Sequence, residues 1–149
     1  MFDTIVIASD GSAHGDRALA MAQTLVNSET ASVTVVHVTE LVGGKGGLYP
    51  EAADESERRA RISAQVDALR DAGVSADFVT PVVRIGGPAH VIADIADSLK
   101  ADLIVVGSRG HSLLSKIILG SVPIRLLQLA HCPVLVVPLP EDANAKPRD

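Results

Sequence analysis

The sequence predicts a single α/β domain of three layers, with a five-stranded parallel sheet between helices. Three observations predict it. Short runs of Val, Ile and Leu alternate with longer stretches of helical periodicity, and that alternation calls for parallel strands joined by right-handed crossovers. Hydrophobic residues make up 47% of the 149 residues while aromatics are only 2%, so the core is aliphatic, as suits strands buried on both faces. Finally, the apolar run Asp102–Gly107 leads into Gly107-Ser-Arg-Gly110, then nine residues, then Gly120-Ser121. Strand, glycine loop and helix in that order turn backbone N–H groups toward an anion.

Each element follows in turn. Thr4–Ala8 reads as a short buried strand, and Ser9-Asp-Gly-Ser12 as a turn. Ala13–Ser28 is predicted helical because Ala18, Met21, Ala22, Leu25 and Val26 share one face, with Ser12 as N-cap. Valine-rich Ser32–Thr39 is the second strand. Glu40–Ala52 carries four glycines and Pro50, and is expected to lack structure of its own; its Gly43–Gly47 portion is a lid by position.

Ala53–Ala72 is predicted as the second helix, with Ile62, Val66 and Leu69 inward and Gly73 as its stop. Its charges, Glu55 among them, are assigned to a solvated face. Asp77–Ile85 is the third strand, and Pro88 opens a helix running over Ala89–Leu99. Leu103–Gly107, a helix over Val122–Ala130 and Pro133–Val137 complete the alternation. The domain is placed at residues 1–140, with a frayed polar tail at 141–149.

Composition bounds function. Lys and Arg number 13 against 18 Asp and Glu, a net charge of −5, which argues against nucleic-acid binding by phosphate neutralisation. No run of about 18 apolar residues predicts a membrane span, and Met1-Phe-Asp-Thr has no signal-peptide pattern. One cysteine excludes an internal disulfide and fits a reducing cytoplasm. Cys132, before a proline and a core strand, reads as a small buried hydrophobe.

The glycine stretch is read as a cradle for nucleotide phosphates. Gly107 and Gly110 permit close main-chain approach or positive φ, while Gly120, Ser121 and Val122 open a helix whose unpaired N–H groups favour an anion. Arg109 either adds charge or is a solvated loop residue. Asp10 either contacts the ligand or a divalent cation, or only closes a turn. Gly43-Gly-Lys-Gly-Gly47 lacks the pattern of a P-loop, and G-x-G-x-x-G is absent. The five histidines have no metal-site spacing; His37 is assigned a structural role at a strand end. No Ser–His–Asp set is placed together by sequence order.

G-x2-G-x9-G-S, with Ile5–Ser12, His37-Val38, Gly86-Gly-Pro88 and Pro133–Val137, resembles the universal stress protein family over nearly the whole chain. The resemblance implies strand order 3-2-1-4-5, the adenine-nucleotide-hydrolase-like relative of the Rossmann fold. Asp10 and Gly107 then close the two strands at the switch point, where ligands of such sheets bind. It implies ATP, with Mg2+ accompanying the nucleotide near Asp10. The implied contacts are Ala8, Ser9, Asp10, Val38 (through its backbone), Gly107, Arg109, Gly110, Gly120, Ser121 and Val122. It also implies a cytoplasmic homodimer formed through Pro133–Pro138, acting on a further protein partner that the sequence does not identify. One departure stands out: Pro123 occupies a position where nucleotide-binding members carry a free N–H. The rival expectations are a slow ATPase or self-phosphorylating protein, and a dimeric interaction protein that binds no nucleotide.

Overall fold

The computed structural model describes residues 2–26, 29–39, 42–44, 47–49, 52–83, 85–109 and 119–139. Among the described residues, seven strands and four helices follow in the order β1 (Thr4–Ala8), α1 (Ala13–Leu25), β2 (Ser32–Val36), β3 (Val42–Gly44), β4 (Gly47–Tyr49), α2 (Ala52–Asp71), β5 (Ser75–Val79), α3 (Pro88–Leu99), β6 (Leu103–Gly107), α4 (Ser121–Leu129) and β7 (Val134–Val137). Five strands form one parallel sheet ordered β5-β2-β1-β6-β7. Counting those five alone, the order is 3-2-1-4-5, as expected, and it reverses between β1 and β6.

The period-2 alternation of the strands divides the core into two layers. Ile5, Ile7, Val33 and Val35 face α1 and α2, where they meet Ala18, Leu19, Ile62 and Val66. Val6, Ala8, Val36 and Ile104 face α3 and α4, where they meet Ile92, Ala96 and Leu126. Ile5, Val6 and Ile7 are wholly buried, each contributing about 1.5–3 kcal/mol. The start of β1 is fixed by a carboxylate: Asp102 Oδ2 accepts from the N–H groups of Asp3 and Thr4 at 3.0 and 2.9 Å.

Four expectations are corrected. Residues 42–44 and 47–49 are not structureless: β3 and β4 pair antiparallel, Val42 opposite Tyr49. The glycines that suggested an open loop leave the backbone free to pair. The third sheet strand is Ser75–Val79 rather than Asp77–Ile85, because Pro81 has no N–H to extend the ladder. Beyond it, only an isolated bridge joins Thr39 to Val82. Helix α1 stops at Leu25, since Val26 turns extended and bridges to Phe2. Cys132 is half-buried, packed against the α3–α4 layer rather than enclosed by it. Other boundaries move by one or a few residues, and Gly73 ends α2 with φ +86. The tail 141–149 lies outside the described residues.

Candidate functional site

The site is built where β1 and β6 end side by side. Ala8 pairs with Val106, so Ser9 leaves the sheet beside Gly107, the last residue of β6, which still pairs with Val137 on its other side. Ala8 points its side chain into the α3–α4 layer and offers the crevice its backbone. The turn after β1 is internally bonded. Ser9 Oγ accepts from Gly11 N–H at 3.3 Å, Asp10 Oδ1 from Ser12 N–H at 3.0 Å, and Ser12 Oγ caps α1 by accepting from Gly15 N–H at 3.3 Å. Asp10 thus fills the turn role that the sequence allowed, with its carboxylate at the carboxyl end of β1.

The opposite wall is closed by main-chain contacts. Ser108 N–H donates to Val137 O at 2.9 Å, and Gly120 N–H donates to Ser108 O at 2.8 Å. The strand end and the start of α4 are therefore clamped together, and Gly107, Arg109, Gly120, Ser121 and Val122 converge. Gly120 is the N-cap of α4, leaving Ser121 and Val122 with first-turn N–H groups that have no intrahelical acceptor. Pro123, third in the helix and buried, supplies none. Gly110 lies outside the described residues.

Gly107 is glycine for a reason that sequence reasoning missed. Its φ is not positive; a Cβ there would stand 2.7 Å from the carbonyl oxygen of His14. The constraint is the close passage of α1 across β6. That passage brings His14 to the crevice, with Nδ1 3.4 Å from Ser108 Oγ. Burial, then the Arg109 charge, lower the His14 pKa against the opposing pull of Asp10. His14 is therefore neutral at neutral pH and able to accept from Ser108. Nothing in the histidine spacing signalled this pairing.

The rim beyond β2 has a different construction. His37 N–H donates to Val79 O at 3.0 Å and Thr39 N–H to Pro81 O at 2.8 Å. By strand alternation, the backbone N–H and carbonyl of Val38 between them turn toward the β1 side. Its side chain packs half-buried on the α3–α4 layer. His37 is 3% exposed, with Nδ1 2.9 Å from Ser9 O and Nε2 2.7 Å from Glu55 Oε1. Arg59 Nε donates to the same Glu55 oxygen at 3.0 Å, and its terminal nitrogen to Thr39 Oγ1 at 2.7 Å.

Glu55 is thus no part of a solvated face. At 9% exposure it is buried, and its spacing of seven residues from inward-facing Ile62 was the available signal. Burial pushes its carboxyl pKa up, but hydrogen bonds from Arg59 and His37, with their charges, outweigh that and hold it below the usual range. Among the described residues, no group of three His, Cys, Asp or Glu side chains is placed to hold a metal. No helix among them is long and apolar enough to cross a membrane.

Comparison with known proteins agrees with this architecture. The family model described as Universal stress protein family matches residues 1–138. A universal stress protein from Thermus aquaticus, encoded in the QAH/OAS sulfhydrylase 3′ region, is 37% identical over 140 residues, covering 92% of this chain and 99% of that protein. A universal stress protein solved in complex with cAMP superposes with a TM-score of 0.65 at 26% identity, over 91% of this chain and 97% of the other. The universal stress protein of Archaeoglobus fulgidus, solved in complex with dAMP, gives 0.64 at 27%, over 90% and 96%. Sheet order and a sequence match over nearly the full length converge: the chain belongs to the universal stress protein family.

Proposed function

We propose that the chain binds an adenine nucleotide, ATP in the first instance, in the crevice between the ends of β1 and β6. It acts as a cytoplasmic, nucleotide-dependent stress-response module rather than an efficient enzyme. The observation that carries this reading is the clamp of Ser108 on Gly120, which sets the free first-turn N–H groups of Ser121 and Val122 at the switch point of the sheet. Relatives in complex with cAMP and dAMP support an adenine ligand. The phosphates would lie against Gly107, Arg109, Gly110 and the start of α4, and the adenine edge against the Val38 backbone. The donor set fits Mg2+ only as a companion of the nucleotide, since one carboxylate, Asp10, needs phosphate oxygens and water to complete an octahedral shell.

A clean test removes one donor without disturbing the helix. Proline is favoured at the first helical position, and Gly120 already has the extended conformation a residue before proline needs, with φ −62 and ψ 161. Ser121→Pro is therefore expected to fold normally and to lose about tenfold or more in MgATP affinity by calorimetry, the worth of a charge-assisted hydrogen bond. No binding by the wild type, under conditions where the protein is folded, would sink the reading. Equal binding by both proteins would move the phosphates elsewhere.

The same reading includes a homodimer through residues 133–138. Its support is that β7 is a sheet edge with half-exposed Val134, Leu135 and Val136. Sedimentation at twice the chain mass is expected, and a single chain mass at micromolar concentration would exclude it.

A further inference from the structure

The ends of β1 and β2 are joined to α2 by side chains. His37 Nδ1 faces the Ser9 carbonyl oxygen at 2.9 Å, and Nε2 faces Glu55 Oε1 at 2.7 Å. A carbonyl oxygen only accepts, and an ionised carboxylate only accepts. Both contacts are hydrogen bonds at once only if both ring nitrogens donate, that is, if the ring is an imidazolium. A neutral ring, in either tautomer, would point a lone pair at one of the two oxygens and break that contact.

The surroundings are consistent with a buried ion pair. From α2 come Glu55, Arg59 on the same carboxylate oxygen, and Arg58, 3.9 Å from the other oxygen. From the β1 turn come the Ser9 carbonyl and its neighbour Asp10. From the β5 side, among the described residues, come the uncharged carbonyls of Val79 and Pro81, accepting from the backbone of His37 and Thr39.

We propose that His37 and Glu55 are positioning residues for the nucleotide, forming a protonated clasp that holds the Ser9 turn and the Val38 rim in binding shape, so that ligand affinity depends on the charge of the His37 ring. The proposal rests on the nucleotide reading above. Loss of the ring proton frees either the Ser9 carbonyl or the start of α2. Ligand that requires the closed rim then binds less tightly as pH rises, and conversely its binding retains the proton.

The test compares MgATP affinity in wild type and Glu55→Gln by calorimetry from about pH 6 to about pH 9, the span in which a histidine ring changes charge. Glutamine is chosen because its amide can donate to a neutral ring nitrogen while its oxygen still accepts from Arg59. Wild type is expected to weaken by about tenfold across this range, while Glu55→Gln changes by less than about threefold. Titration of the ligand phosphates and of His14 acts equally in both proteins and cancels in the comparison. Superposable pH profiles overturn the clasp and leave the nucleotide reading standing; no binding by either protein overturns both. A second readout needs no variant: ring nitrogen-15 NMR of the wild type at neutral pH is expected to show both His37 nitrogens protonated. One protonated nitrogen overturns the proposal.

Discussion

The two walls of the crevice meet at adjacent strands, yet they are held by opposite means. The β6–α4 wall is made of backbone: Ser108 bonds to Val137 and Gly120, and Gly107 lets His14 pass within contact because nothing projects from it. The β1–β2 rim is made of side chains: His37, Glu55, Arg59 and Thr39 in one chain of hydrogen bonds, buried at His37 and opening toward solvent at Arg59. A main-chain wall answers to volume. A side-chain rim answers to the charge and identity of each member.

Substitutions sharpen the contrast. The largest loss is expected from His37→Ala, which takes the buried partner from the Glu55 carboxylate and removes the ring from the Ser9 carbonyl. It should cost about 3 kcal/mol in chemical denaturation, as removal of one partner of a buried ion pair does. A loss below about 1 kcal/mol would mean the rim is not held by this chain of bonds. Gly107→Ala comes next, at about 2 kcal/mol, because its Cβ would require the backbone of α1 to shift.

The smallest effect concerns acid. Glu55 has a folded pKa below its unfolded one, so its contribution is complete above the ordinary carboxylate range and is lost as pH falls through the folded value. Stability of the wild type should therefore fall more steeply in that acid range than that of Glu55→Gln. Parallel acid curves would place the acid sensitivity on other carboxylates.

The same contrast explains what the sequence made legible. The five sheet strands and four helices were readable because apolar runs and 3.6-residue stripes report burial directly. The glycine wall was readable as a pattern, although Gly107 was credited with close approach to a ligand or positive φ, whereas the group it makes room for is the His14 backbone of α1. The rim was nearly invisible. Glu55 was counted among surface charges because burial of a carboxylate depends on partners distant in sequence: His37 lies 18 residues away. The hairpin β3–β4 was hidden in turn by its glycines, whose low strand propensity masks a pairing that needs only backbone. Periodicity sees what a residue does alone, and the rim consists of what residues do together.

The pairing of β1 with β6 has a consequence for how the molecule assembles. Ile5 sits opposite Leu103, and Asp102 bonds the backbone of Asp3 and Thr4 across 99 and 98 residues of chain. The central strand of the sheet can acquire its β2 neighbour early but must wait for two-thirds of the domain before its other edge is filled. Contacts of such sequence separation close slowly. Until β6 arrives, β1 exposes an unsatisfied edge of Ile and Val, the kind of surface that chaperones cover and that aggregates recruit.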